Sequence, residues 1–404
     1  MKISKLQIHK RLHCYVTSPQ PIQTLLVQYK KLIDLAILYI LMSIQKVLIT
    51  GGLGNVGQWV VKETLNRKYE VYVYDIDSQK TRMKYQQMIK EMQFNMIWGD
   101  LTDTNHVSKT LQKTKPSYII HVAAIIAPTA YFIPKIAYNV NVIGTKNLIE
   151  NAASIYGFKR FVLVSSYSVH GSRNPYKSQG KLTGKSPVNP RDNYGRHKIA
   201  AENMLEGSNL DWTIIRLPAV FTVDADFGNS PEFIKFLFFL DPDRNQHAID
   251  ARDAGLAISK AIDAKTSKRI LDVGGDPNKG WCGKAWDLQS ALFKSKGMPD
   301  FDISAYRRSD PNVTESWYFE DILDTTESQK LLDYQRISFD EHIQFITKQM
   351  GITRYFVKLM SPIIRRKLLQ ASDFKDIDDV DSRDIWEVIK EKFGMEVDKE
   401  LLVY

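Results

Sequence analysis

Cysteine is almost missing from this chain of 404 residues: only Cys14 and Cys282 occur, far apart and outside any C-x-x-C pair. That excludes a disulfide framework and a cysteine-built structural zinc, and makes a reducing cytoplasm the expected setting. Long apolar runs are lacking too. None reaches the ~18 residues of a membrane span, and residues 35–42, though apolar, are short and lack the small-residue cleavage site of a secretory signal. There is no internal repeat and no low-complexity tract. Acidic residues are the scarcer charge, 46 against 55 basic, for a net +9. The excess is local. Lys2, Lys5, Lys10, Arg11, Lys30 and Lys31 against Asp34 put +5 in residues 1–41, and Arg354, Lys358, Arg365, Arg366 and Lys367 put another +5 in residues 351–372. The remainder is about neutral, at −1, so no basic face spans the body and a nucleic-acid partner is excluded.

What is present is a strand running into glycines. Lys46-Val-Leu-Ile-Thr-Gly-Gly-Leu-Gly-Asn-Val-Gly57 places glycines at 51, 54 and 57, and a helical pattern follows. Glycine lets the chain turn off the strand, lets backbone approach a pyrophosphate, and lets the helix pack near the sheet. The helix start, with Asn55 and Val56, offers free N–H groups to phosphate. A second strand pattern ends in Asp75, about 20 residues on, where a carboxylate accepts ribose hydroxyls and repels the 2′-phosphate of NADP. Neither Leu53 nor Asn55 supplies a compensating cation, so NAD is expected over NADP.

Strand and helix patterns then alternate: helix over 78–91, strand over 94–98, helix over 105–113, strand over 118–124, helix over 139–156, strand over 161–166. A helix over 193–205, a strand over 212–217 and a late strand over 270–274 complete the series. This predicts an α/β fold, a Rossmann doubly wound parallel sheet. A smaller C-terminal substrate-binding region and a helical tail are expected after it. The expected divisions are residues 1–41 as an N-terminal extension, with Met42 as the natural initiator, 42–275 as the dinucleotide domain, 276–345 as the substrate subdomain and 346–404 as the tail.

Tyr194 and Lys198 open the 193–205 helix at i, i+4 spacing, which sets both on one face. A tyrosine is a poor base at neutral pH; an ammonium beside it, with the nicotinamide ring, favours the phenolate. Ser166, ending the preceding strand, is placed to hydrogen-bond a substrate oxygen.

With these residues the chain resembles the extended short-chain dehydrogenase/reductase superfamily, its NAD-dependent epimerase/dehydratase group. The likeness covers roughly residues 44–340. It runs through Thr50-Gly51-x-x-Gly54-x-x-Gly57, Gly99-Asp100-Leu101, His121-x-Ala123-Ala124, Asn141-Val-Ile-Gly144-Thr145, Val164-Ser165-Ser166, Tyr194-x-x-x-Lys198, Arg216-Leu-Pro218 and Ala251-Arg252-Asp253-Ala254. The resemblance implies that Asp100 and Leu101 lie beside adenine, that Ala123 and Ala124 flank the cofactor where the strand order reverses, and that Asn141 braces the active-site helix. Pro218 is implied among the cofactor contacts. Ser166 rather than Ser165 is the implied catalytic serine, because Tyr167-Ser-Val-His-Gly171 follows it as in the family pattern. His170 either touches substrate or packs its loop; His121, inside a buried strand, reads as structural.

Two functional classes remain open. The first is hydride transfer at a substrate hydroxyl or carbonyl with Tyr194 as acid/base, on a nucleotide sugar or, alternatively, on an apolar sterol- or lipid-like alcohol. The second is an NAD-binding scaffold or sensor without turnover. Residues 171–190, 221–248 and 275–345 are expected to set selectivity. The first of these is basic and reads as a solvated loop or an anion contact. Residues 231–240 read as a lid helix or as core, and Arg244 as a diphosphate contact. The basic amphipathic stretch 351–372 either docks on protein or rests on an anionic membrane, and the acidic run 373–384 reads as a solvated turn. The family's habit implies a homodimer.

Overall fold

The computed structural model describes residues 45–224, 231–299, 302–375, 377 and 379–393. The expected extension 1–41, Cys14 and the expected initiator Met42 lie outside them. Ten strands follow in order: β1 (Lys46–Thr50), β2 (Glu70–Asp75), β3 (Asn95–Trp98), β4 (Tyr118–His121), β5 (Arg160–Ser166), β6 (Trp212–Leu217), β7 (Ala219–Phe221), β8 (Asn245–Asp250), β9 (Arg269–Asp272) and β10 (Cys282–Lys284). Seven of them form one sheet in the order β3-β2-β1-β4-β5-β6-β9, every neighbouring pair parallel. Such a sheet needs apolar side chains on both faces, and β1 supplies them: Val47, Leu48 and Ile49 are fully buried. One face packs on Val60, Val61, Ala254, Ala257 and Ile258; the other packs on Val107, Leu111, Leu148, Ala201 and Leu205. The doubly wound parallel sheet is therefore present as expected.

The strand order reverses at β1, from which the chain proceeds to β2 and β3 on one side and then to β4 on the other. The crevice at that point, at the carboxyl ends of the strands, is where open α/β sheets place ligands. It is lined by the glycine turn after β1 and by Ala123 and Ala124 after β4.

Three departures from the sequence reading matter. The expected single helix over 139–156 opens instead with a π-helical turn, Asn139–Ile143, before the α-helix Gly144–Ala152. The widened turn aims Asn141 at the backbone of Ile125, which its side chain brackets at 2.8 Å on both N–H and C=O. A second sheet, β10-β8-β7, was not anticipated. Two of its strands have only three residues, too short for alternation to show. Finally, the acidic run 373–384 is a solvated turn only in part: Asp373 and Asp379 are exposed, but Asp381 and Asp384 are not. Asp381 receives the fully buried Arg307, whose Nε lies 3.0 Å from its Oδ2, and Asp384 pairs with Arg191. A buried guanidinium demands a partner, and the acidic run provides it.

The tail forms helices Thr353–Leu359 and Ser361–Ala371, parted at Met360 with Pro362 in the first turn of the second. A last helix, Ile385–Phe393, lies where the sequence put it. Among the described residues no helix is long and apolar enough to cross a membrane, and no cluster of metal-ligating side chains occurs.

Candidate active site

The glycine turn is built by crowding. Gly51 has φ +68°, and a Cβ there would lie 2.6 Å from the Cα of Ala123. At Gly57 a Cβ would sit 2.0 Å from the Gly51 carbonyl oxygen. No side chain fits at either position. The helix Gly57–Asn66 starts at Val56 without a side-chain cap; the N–H groups of Gln58 and Trp59 donate to the carbonyls of Gly54 and Val56. The buried Oδ1 of Asn55 also lacks a partner among the described residues. A tight backbone cradle, an uncapped positive helix end and an unpaired amide fit the phosphate and ribose of a dinucleotide. Asp75 closes the loop from β2: its Oδ2 accepts the Leu53 N–H at 3.0 Å and its Oδ1 the Ile76 N–H at 2.9 Å. Burial pushes its carboxyl above the ordinary range, and those two amides oppose the shift. Asp100 is exposed, Leu101 buried, Ala123 and Ala124 half-buried, and Pro218 is buried just past the end of β6.

Asp192 caps the helix Asn193–Glu206, accepting the Gly195 N–H at 3.0 Å. The cap fixes where the helix begins, and so puts Tyr194 in its first turn and Lys198 one turn further. The Lys198 Nζ stands 5.7 Å from the Tyr194 ring centre and donates to the Val164 carbonyl at 2.8 Å. Strand alternation separates the two serines of β5. The Ser166 hydroxyl donates to that of Ser168 at 3.1 Å and lies near enough to the Tyr194 phenol to favour its ionised form, whereas Ser165 donates to Glu202. Ser166, Tyr194 and Lys198 are thus brought together, all buried.

Lys198 together with the nicotinamide ring is expected to favour the Tyr194 phenolate; among the protein's own groups burial holds the phenol well above its usual value, with Ser166 opposing and Asp192 pushing the same way as burial. In the protein alone Tyr194 keeps its proton. Burial lowers Lys198 to about 8, with Glu202 one turn on opposing.

Glu202 is a group the sequence reading missed, although its i, i+4 spacing from Lys198 was a readable signal. It binds Arg216 through two bonds, 3.1 Å from Nε and 2.6 Å from Nη2. Arg216 reaches His170 Nε2 at 3.4 Å, and His170 Nδ1 donates to the Pro187 carbonyl at 3.0 Å. Both ring nitrogens are occupied, and burial lowers His170 to about 4; of its two readings, the packed loop residue is the one observed. His121 is structural as read: Thr50 lies 2.6 Å from Nδ1 and Thr145 2.8 Å from Nε2. Asn141 reaches His197 Nδ1 at 3.3 Å and so ties the 193–206 helix to the segment after β4.

Asp192 was missed as well. Besides its cap it accepts the Tyr131 hydroxyl, itself 3.1 Å from that of Tyr318, and burial raises its carboxyl to about 6. Tyr194 belongs to an apolar cluster that includes Tyr131, Phe236, Tyr306, Tyr318, Phe319 and Trp386. The helix Pro231–Phe238 sends Phe236, Leu237 and Phe238 into it as core. Arg244 does not face a ligand: it is 1% exposed, ion-paired with Glu320 at 2.8 Å and bonded to the Asp241 carbonyl at 2.9 Å. In the basic loop, Arg173 is likewise taken by Asp321 at 2.8 Å.

Residues 47–232 match the sequence model of the NAD dependent epimerase/dehydratase family. The chain is 30% identical over 184 residues to UDP-glucose 4-epimerase 2 of Arabidopsis thaliana, covering 43% of this chain and 51% of that protein. It is 28% identical over 192 residues to dTDP-D-glucose 4,6-dehydratase of Dictyostelium discoideum, covering 44% and 43%. The chain thus spans about half the length of the curated relatives it matches. Among solved structures, the fold resembles the UDP-glucose 4-epimerase of Thermus thermophilus in complex with NAD, with a TM-score of 0.61 at 19% identity over 76% of this chain and 99% of that one.

Proposed function

We propose, from the premise that over residues 47–232 the chain belongs to the NAD-dependent epimerase/dehydratase family, that it is an NAD-dependent enzyme transferring hydride at a substrate hydroxyl or carbonyl. The observation that carries this is the buried Ser166–Tyr194–Lys198 grouping at the carboxyl end of the sheet. Tyr194 is the acid/base. Held protonated by burial, it gives its proton to a substrate oxygen or takes one back. Ser166 orients that oxygen, and Lys198, fixed by Val164 and balanced by Glu202, holds the nicotinamide ribose.

NAD is preferred over NADP because Asp75 offers a carboxylate to the ribose. Gly51, Gly54, Asn55, Val56 and Gly57 hold its pyrophosphate, Asp100 and Leu101 its adenine. Ala123, Ala124, Asn141 and Pro218 shape the remainder of the cofactor crevice. When bound, NAD supplies the hydride acceptor or donor.

A nucleotide sugar is the favoured substrate, on the likeness to relatives named for UDP-glucose and dTDP-glucose. An apolar alcohol is the second reading, and a specific observation favours it: Tyr194 belongs to a buried cluster rich in aromatic side chains, and Arg244 is committed to Glu320. A cytoplasmic homodimer completes the proposal.

The test is turnover of the full chain with NAD, using UDP- and dTDP-sugars in one arm and sterol or long-chain alcohols in the other. Sugar conversion without accumulating NADH supports epimerase or dehydratase chemistry; NADH formed from apolar alcohols supports the second reading. Tyr194→Phe is expected to cut the rate by about 10²–10⁴-fold, the usual worth of a general acid/base, while NAD binding persists. A variant that keeps most of its rate overturns the assignment, and NAD binding with no turnover of either class would leave a scaffold.

A further inference from the structure

Surface helices usually bury their apolar side and present the polar one. The helices Thr353–Leu359 and Ser361–Ala371 depart from this. Their inward contacts are already made: Leu368 and Leu369 pack on the aromatic cluster, and the Arg354 Nε donates to the Ser295 carbonyl at 3.1 Å. Yet Ile352, Tyr355, Phe356, Leu359, Met360 and Ile363 are each between 46 and 78% exposed. The first four recur every three or four residues and share a side of the first helix. Met360 and Ile363 continue the patch into the second. A contiguous apolar patch of this kind marks an interaction site.

Its charge says with what. Residues 351–372 carry five cations and no acid. Arg365 pairs with Asp302 at 3.1 Å, whereas Lys358, Arg366 and Lys367 make no ion pair with any described residue. A two-fold contact between copies would set the patch against itself and bring like charges together. The helices are too short to span a bilayer. Apolar side chains bordered by lysine and arginine are the composition of a helix lying in the plane of an anionic bilayer. Pro362, Arg365, Arg366 and Leu369 also edge a cleft of about 990 Å³ whose other wall carries Trp286 and Ile303, which widens the footprint.

We propose that this two-helix segment seats the protein on an anionic membrane surface. The six apolar side chains enter the headgroup boundary, and Lys358, Arg366 and Lys367 meet the lipid anions. The seat is independent of the reaction at Tyr194.

Co-sedimentation of the full chain with phosphatidylcholine vesicles, with and without a one-third share of phosphatidylserine, tests it. Binding is expected only to the anionic vesicles and is expected to weaken in high salt. Changing Lys358, Arg366 and Lys367 together to Gln should weaken it roughly 100-fold, the equivalent of about 1 kcal/mol for each cation near an anionic surface. The pair Phe356→Ser and Leu359→Ser should abolish it without moving the melting temperature or NAD binding, since both side chains are exposed. Three outcomes overturn the proposal: no binding to anionic vesicles, equal binding to both compositions, or undiminished binding by the serine pair. A dimer seen by light scattering that the serine pair splits would identify the patch as a self-contact instead.

Discussion

The strands and turns up to residue 224 and the region after residue 231 use charged side chains in opposite ways. In the first region the polar residues that matter lie one turn or one strand-end apart. Their places are dictated by local backbone: a glycine crowded against Ala123, a helix started by Asp192, a serine on the last residue of β5. In the second region arginines serve as internal braces whose partners lie far along the chain. Arg244 finds Glu320 at 76 residues' separation and Arg307 finds Asp381 at 74. Residue type and spacing therefore carry chemistry in the first region. In the second they announce only that a charge exists, and tertiary pairing decides what it faces.

The sharpest way to probe that contrast is Glu202→Gln, which strikes the brace behind the candidate active site. It leaves Arg216 buried without its ion pair, a loss expected to cost about 3 kcal/mol. That is the low end for a broken buried pair, because Asp272 stands beside Arg216 on β9 to take up part of its charge. The same change removes the carboxylate that opposes the lowering of Lys198. The alkaline limb of the pH–rate profile should accordingly move below about 8, a shift that a purely structural brace would not produce. Denaturant unfolding and the profile of kcat/KM check the two effects separately.

Arg244→Met breaks the comparison from the other side. A ligand-binding arginine would raise KM when removed; a brace lowers stability and leaves KM alone. The loss expected is about 2–3 kcal/mol, below the usual value for a buried pair, because Gln246 still donates to Glu320 at 3.1 Å. A large rise in KM with little change in stability would return Arg244 to the substrate.

The same contrast explains what could be read from the sequence. The doubly wound sheet, the glycine turn, Asp75 at its strand end and the Tyr194–Lys198 face all follow from short-range pattern, and the structure has each of them in the expected element. The π-turn around Asn141 was not readable, because its cause is a pair of hydrogen bonds to Ile125, sixteen residues earlier. Nor was the small sheet, whose strands are too short to alternate visibly. The upward push on the Tyr194 phenol was not readable for a related reason: adjacency of Lys198 shows in sequence, whereas depth of burial does not. Asp192 and Glu202 were legible in principle, one as a cap three residues before Gly195 and one as an i+4 neighbour of Lys198.

The smallest effect concerns the group this arrangement leaves unpaired. Asp272 sits in register with Arg216 on the neighbouring strand, yet Arg216 is spent on Glu202 and His170, and both Asp272 carboxylate oxygens are buried without a hydrogen-bond partner among the described residues. Burial pushes its carboxyl up to about 7; Arg216 opposes the shift, while Glu202 and Asp324 add to it. An unfolded aspartate titrates near ~3.9. From about pH 4 to about 7, then, the folded protein holds a proton that the unfolded chain has released, and stability falls as pH rises through that window. Above it the whole loss persists. Asp272→Asn keeps the neutral shape and removes the titration, so its benefit should appear at pH 8 and vanish at pH 5. A three-unit shift sets a ceiling near ~4 kcal/mol. The new amide is itself buried and poorly paired, which takes back about 1–3 kcal/mol and leaves a net gain of at most about 1–3 kcal/mol at pH 8. Denaturation midpoints at the two pH values decide it. An equal gain at both would mean that packing, and not the ionisation of Asp272, limits stability at this end of the sheet.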